Sequence, residues 1–124
     1  MAGLTFDTGA LLALERRRQR MGVVFDAARE GNVIITLPAI VVAEWWRKRS
    51  DLCEEILESC DLEPLDQGLA RLAGEATTLV RGSTINDAIV MASAARRGDI
   101  VYTSDFDDLE RLRAVFPAVR VLRV

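Results

Sequence analysis

The sequence predicts an α/β fold built on a mostly parallel sheet, and three observations carry that reading. Short apolar runs, "LTF" (4–6), "VIITL" (33–37), "DIVYT" (99–103) and "VRVLRV" (119–124), alternate with longer helical segments. The runs are continuously apolar rather than alternating, as expected of parallel strands buried on both faces. The length, 124 residues, suits one compact domain spanning 1–124.

Each element follows from local signals. "LTF" is a short strand closed by Asp7. "GALLALERRRQRMGVVFDAARE" reads as two consecutive helices ending at Gly31-Asn32. After the second strand, Pro38 suits the first turn of a helix, "PAIVVAEWWRKR". "DLCEEILESC" is a further helix, with Cys53 and Cys60 both on it, and "LEPL" a short extended stretch. "DQGLARLAGEATTLVRG" places Leu69, Leu72, Ala73, Ala76, Leu79 and Val80 on one face and stops at Gly82. "STINDAIVMASAARRG" is apolar on nearly all sides and should be buried. "DFDDLERLRAVF" is the last helix before the final strand. No repeat, linker or low-complexity segment is visible.

Composition removes several functions. Half of the chain is hydrophobic and 28% is charged, the balance of a soluble globular protein. No apolar run approaches the ~18 residues of a membrane span. The start of the chain lacks the basic-then-apolar order of a signal peptide, so a cytoplasmic protein is expected. There is no histidine, hence no histidine general base, no Ser-His-Asp triad and no ordinary zinc site. Cys53 and Cys60, seven positions apart on one helix, would stand roughly 10 Å apart, too far for a disulfide. They read as two buried thiols. Lys48 is the only lysine, and no phosphate-binding glycine loop precedes it. If the protein is an enzyme, carboxylates and a metal ion must carry the reaction.

The acids allow two readings. Asp7 can cap the following helix. Thr84 with Asp87, Ser104 with Asp107, and Asp105 with Asp108 all have capping-box spacing. Glu44 is different. It lies well inside the helix beginning at Pro38, between "AIVVA" and "WW", and caps nothing. Its alternative is a surface ion pair with Lys48 at i+4, worth a few tenths of a kcal/mol, ~0.2–0.5. In parallel sheets ligands sit beyond the carboxyl ends of the strands. Asp7 and Asp105 both fall there, 98 positions apart. Carboxylates gathered at one edge repel each other unless a cation lies among them. Oxygen-only donors select Mg²⁺ or Mn²⁺. Such an ion would serve phosphodiester hydrolysis by lowering the pKa of a bound water and stabilising the leaving oxygen.

"FDTGALLALERR", "PAIVVAEWWR" and "TINDAIVMASAARRGDIVYTSDFDDLERL", in this order across essentially the whole chain, resemble a PIN-domain ribonuclease. The resemblance is closest to the VapC-type toxins of bacterial type II toxin–antitoxin pairs. It implies a PIN-like three-layer sandwich, a mostly parallel central sheet flanked by helices. It implies that Asp7, Glu44, Asp87 and Asp105 are the acidic quartet holding one or two Mg²⁺ (Mn²⁺ substituting), with Asp108 a further acid. Thr8, Thr103 and Asp107 would stand behind the ligands or touch phosphate. The implied activity is metal-dependent cleavage of structured RNA such as tRNA or rRNA. The implied partners are a VapB-type antitoxin and a second copy of the chain, in a homodimer that becomes a heterotetramer or larger with antitoxin.

Arg16 and Arg17 in "ERRRQR", and Arg47 and Lys48 in "WWRKRS", are candidate RNA contacts, or else a solvated helix face. Trp45 and Trp46 can stack bases, although one of them suits the core or a dimer interface better. Two other readings exist. A catalytically silent binding module would keep the fold and use its acids as caps. A phosphoacceptor domain would want a lysine after a late strand, and none stands there.

Overall fold

The computed structural model describes residues 2–124. The elements run β1 (Leu4–Phe6), α1 (Thr8–Glu15), α2 (Gln19–Glu30), β2 (Ile35–Pro38), α3 (Ala39–Trp45), α4 (Asp51–Glu58), β3 (Asp61–Glu63), α5 (Gln67–Leu79), α6 (Ile85–Arg97), β4 (Ile100–Thr103), α7 (Phe106–Leu112) and β5 (Arg120–Arg123). The strands form one five-stranded sheet in the order β3-β2-β1-β4-β5. Every neighbouring pair is parallel. β1 is central, with Leu4 opposite Ile100 and Phe6 opposite Tyr102 on β4. That register brings Asp7 and the residues after Thr103 to the same edge. Every residue of β2 is buried, so helices cover both faces of the sheet. The expected α/β sandwich is the observed one.

α6 passes through the centre of the core. Residues 88–94 of it are all buried, which accounts for a helix apolar on nearly all sides. Thr84 caps its start, accepting from the Asp87 N–H at 3.2 Å. Gly98, at φ 72°, takes the left-handed position that ends it. α6 therefore delivers Asp87 to the carboxyl edge of the sheet from a fixed base.

Several boundaries differ from expectation. α3 begins at Ala39, with Pro38 at its cap position, and ends at Trp45, four residues before Arg49. Trp45 is buried, and its indole N–H donates to Glu15 at 2.8 Å. Arg47 Nε donates to the Glu44 carbonyl, giving the freed helix end a partner. Trp46 stacks edge-on against Trp45 at 5.7 Å. Cys60 lies beyond the end of α4 and is only half-buried, while Cys53 is buried; both are free thiols. Burial pushes the Cys60 thiol up to about 12, with Asp61 adding to the rise, so it is inert at neutral pH. On α5, Leu69, Ala73 and Ala76 face the core, but Leu72 and Leu79 are exposed. The apolar stripe of that helix is wider than the surface that covers it.

Candidate metal centre

The carboxyl edge of the sheet opens into a cavity of about 280 Å³. Asp7, Glu44, Asp87, Asp105 and Asp108 all line it, and among the described residues no arginine or lysine does. Val41 and Val90 form its apolar floor.

Asp7 ends β1 and caps α1. One carboxylate oxygen, Oδ1, accepts from the Ala10 N–H at 2.8 Å, and Oδ2 accepts from the Thr103 hydroxyl. The Thr103 oxygen in turn accepts from the Asp105 N–H at 2.7 Å. Thr103 thus ties the ends of β1 and β4 together. Burial pushes the Asp7 carboxyl above its usual range, and the Asp105 charge adds to the rise. The Thr103 and Ala10 hydrogen bonds oppose it.

Glu44 comes from the other side of the cavity. Its Oε1 accepts from the Thr8 hydroxyl at 2.8 Å and its Oε2 from the Asn86 amide at 3.0 Å. Among the described residues it makes no ion pair with Lys48, because α3 has ended before Lys48 is reached. Two neutral donors fix the carboxylate and leave its charge in place.

Asp87 sits in the first turn of α6 at the cavity wall. Its carboxyl is pushed up to about 6, chiefly by burial, then by the Asp105 charge; Asp108 and Asp7 push the same way and a Thr84 hydrogen bond opposes them. Asp105 holds the N-cap position of α7 but makes no side-chain capping bond. The capping boxes expected from Ser104 with Asp107 and Asp105 with Asp108 do not form. Asp108 lines the cavity, with Arg111 4.0 Å away on its own helix.

Five carboxylates line one cavity, and among the described residues no basic side chain lines it with them. Their donors are all oxygens, which suits a hard divalent ion. Among the described residues, no three acidic or sulfur side chains stand close enough to cage an ion by themselves.

Other expected residues fall in varied places. Thr8 lines the cavity, and Thr103 is buried behind Asp7. Asp107 is not at the cavity; it is exposed and lies 3.7 Å from Arg123. Arg47 and Lys48 are exposed beyond α3. Two contributors were not anticipated. Asn86 orients Glu44, and its only signal was a polar pair, "ND", opening an apolar helix. Gly9 lines the cavity at a point where a Cβ would lie 1.8 Å from Ser104 Oγ.

No family model matches the chain, and no curated protein matches it in sequence. Solved structures do. A chain of the FitAB complex bound to an IR36 DNA fragment is 19% identical with a TM-score of 0.73, covering 97% of this chain and 94% of that one. A chain of VapBC2 from Rickettsia felis, bound to a promoter DNA fragment, is 14% identical with a TM-score of 0.77, covering 98% of each. A chain of DNA-bound VapBC from Salmonella typhimurium is 15% identical with a TM-score of 0.76, covering 99% and 98%. At these identities the likeness speaks for the fold, and the chain has the PIN-type α/β fold of such toxin–antitoxin proteins.

Proposed function

We infer that this protein is a metal-dependent endoribonuclease, the toxin of a VapBC-type pair, hydrolysing phosphodiester bonds of structured RNA such as tRNA or rRNA. The observation that carries this reading is the cavity of five carboxylates and no basic residue at the carboxyl edge of the sheet. The shared fold supports it.

Asp7, Glu44, Asp87 and Asp105 would hold Mg²⁺ or Mn²⁺, with Asp108 as a further acid. The ion, when bound, supplies an acidified water and positive charge for the leaving oxygen. The chain's own part is orientation. Ala10 and Thr103 fix Asp7, and Thr8 and Asn86 fix Glu44, so two carboxylates stand in set positions before substrate arrives. Asp87, Asp105 and Asp108 supply charge on the open side. A VapB-type antitoxin would be the regulating partner, and a homodimer the working assembly.

The capping bond of Asp7 favours a second reading, a silent PIN-fold binding module. Cleavage decides between them. Purified protein should cut single-stranded or loop regions of a structured RNA with Mg²⁺ or Mn²⁺ and stop in EDTA. The products should carry 3′-hydroxyl and 5′-phosphate ends. Ends bearing 2′,3′-cyclic phosphate, formed equally well in EDTA, would sink the metal-water reading. No cleavage and no Mn²⁺ binding by calorimetry would favour the silent module.

A further inference from the structure

We propose that a second cavity, at the junction of α1 and α2, is a phosphate-binding subsite that seats the RNA backbone beside the scissile bond, with Arg16, Arg18 and Arg20 as its anion-binding residues. The proposal deepens the nuclease reading and rests on it for the identity of the polymer.

The local backbone creates the subsite. α1 ends in a left-handed turn, where the Arg18 N–H donates to the Ala13 carbonyl at 2.9 Å and the Arg17 N–H to that of Leu14 at 3.1 Å. Arg17 takes φ 56°, a position that usually favours glycine. The turn divides the arginine run. Arg16, Arg18 and Arg20 line one cavity of about 430 Å³. Arg17 lines only a different one, with Leu14, Phe25 and Ile56, and Arg18, between the two, borders both.

Charge then marks the first cavity. The chain carries a net charge of −3, so acids are abundant. Arg29, Arg49, Arg96, Arg97, Arg111, Arg113 and Arg123 each have an acidic partner within 4.0 Å. Among the described residues, Arg16, Arg18 and Arg20 have none; Arg17, Arg47, Arg71, Arg81 and Arg120 also lack one, but none of those five lines this cavity. Three exposed guanidiniums around one hollow repel each other, and a phosphodiester, which a guanidinium can hold by two parallel N–H bonds, relieves that repulsion.

Position supplies the rest. The arginine cavity and the acidic cavity share Gly9, and Ser104 lines the arginine side next to Asp105 of the acidic one. Gly9 is packed too closely against Ser104 Oγ to carry a side chain, so the divide is one glycine and one serine. The acidic cavity alone repels RNA. An adjoining basic cavity, floored by Leu12 and Met21, offers a phosphate and its nucleoside a favourable place one step along the strand.

The test is binding of a fluorescent single-stranded RNA to the full chain in EDTA, by anisotropy across a salt series. The triple variant R16Q/R18Q/R20Q should bind about tenfold more weakly or worse, and its log K against log salt slope should shrink by about two to three. R17Q, on the other side of the turn, should change affinity less than about twofold. With Mn²⁺ the triple variant should raise KM while the saturated single-turnover rate holds within about threefold. Equal loss from R17Q, or wild-type binding by the triple variant, overturns the subsite. Displacement of RNA by inorganic phosphate, beyond chloride of equal ionic strength, also overturns it in favour of a free-phosphate site. Wild-type protein that binds RNA through these arginines yet never cleaves it would end the nuclease reading and leave the subsite standing.

Discussion

Two aspartates are buried at opposite edges of the same sheet, Asp99 at 3% exposure and Asp7 at 5%. Asp99 stands where β4 begins. It accepts from the Gly3 N–H, the Thr5 hydroxyl and Arg97 Nε, each at 2.9 Å. Arg97 also lies 2.8 Å from Glu63, poorly aligned for a hydrogen bond but close enough for an ion pair, and Ser93 donates to the same carboxylate at 2.7 Å. Asp7 stands where β1 ends. It has two neutral donors, and its charged neighbours are other acids. A buried charge costs several kcal/mol, of order 3–5 when its partner is removed. The amino edge settles that cost inside the chain. The carboxyl edge leaves it unsettled, and the difference separates a fixed structural network from a cavity whose charged lining residues are all acids.

The comparison breaks most visibly through activity. Asp7→Ala should cut RNA cleavage about a hundredfold or more while the protein still folds, because it removes charge stabilisation rather than packing. Its cost to stability should stay near that of a lost helix cap, about 1 kcal/mol. A variant that folds and cleaves like wild type would put Asp7 in the same structural class as Asp99.

Arg97→Met probes the settled edge. It leaves Asp99 and Glu63 without their cation, so unfolding in urea should show a loss of about 3–5 kcal/mol. Mg²⁺ should not restore it, since the proposed ion site is at the other edge. A loss below about 1 kcal/mol would mean that the Gly3 and Thr5 donors suffice alone. Asp87→Asn should do the reverse at the open edge. It removes one of several mutually repelling charges, so the metal-free melting temperature should rise by a few degrees, about 1 kcal/mol, while activity disappears. Clear destabilisation would assign Asp87 to capping.

The contrast between the edges also explains what the sequence could and could not disclose. Strand-end placement of Asp7 and Asp105 follows from apolar runs and the rule for parallel sheets, and Glu44 stands out in an apolar segment where its one alternative use, an ion pair with Lys48, does not form because α3 ends at Trp45. The partners of Asp99 were hidden, because Arg97 reaches it two positions along the chain while Gly3 and Thr5 approach across the sheet, 96 and 94 positions away. Asn86 was hidden for a similar reason. Its value lies in meeting Glu44 across 42 positions. The arginine run was visible as charge alone. Its division into two faces depends on the left-handed turn at Arg17, which no residue type there announces. The end of α3 was misplaced because a buried tryptophan and a side-chain cap stop it without glycine or proline.

The smallest expected effect is also the most diagnostic, because it reads the open edge without activity. The Asp87 carboxyl holds its proton up to about 6 in the folded chain, against 3.8 for an unperturbed group. Below pH 3.8 folded and unfolded chains are both protonated there, and this group makes no difference. Between 3.8 and 6 the folded chain binds more protons than the unfolded one, so stability contributed by this group falls as pH rises. Above 6 the loss is complete. Asp7, also raised, acts in the same direction. Asp66, lowered chiefly by its Arg96 hydrogen bond, acts oppositely but lies in solvent, where screening leaves it little weight. Urea unfolding of metal-free protein should therefore show a decline across pH 4 to 6 that Asp87→Asn makes shallower. Saturating Mg²⁺ should flatten the decline by restoring stability on its alkaline side, since an ion that binds only the folded chain stabilises it by mass action. A rise in metal-free stability over the same range, or a decline that both Mg²⁺ and Asp87→Asn leave untouched, would mean that the acids at the carboxyl edge are as well settled as Asp99.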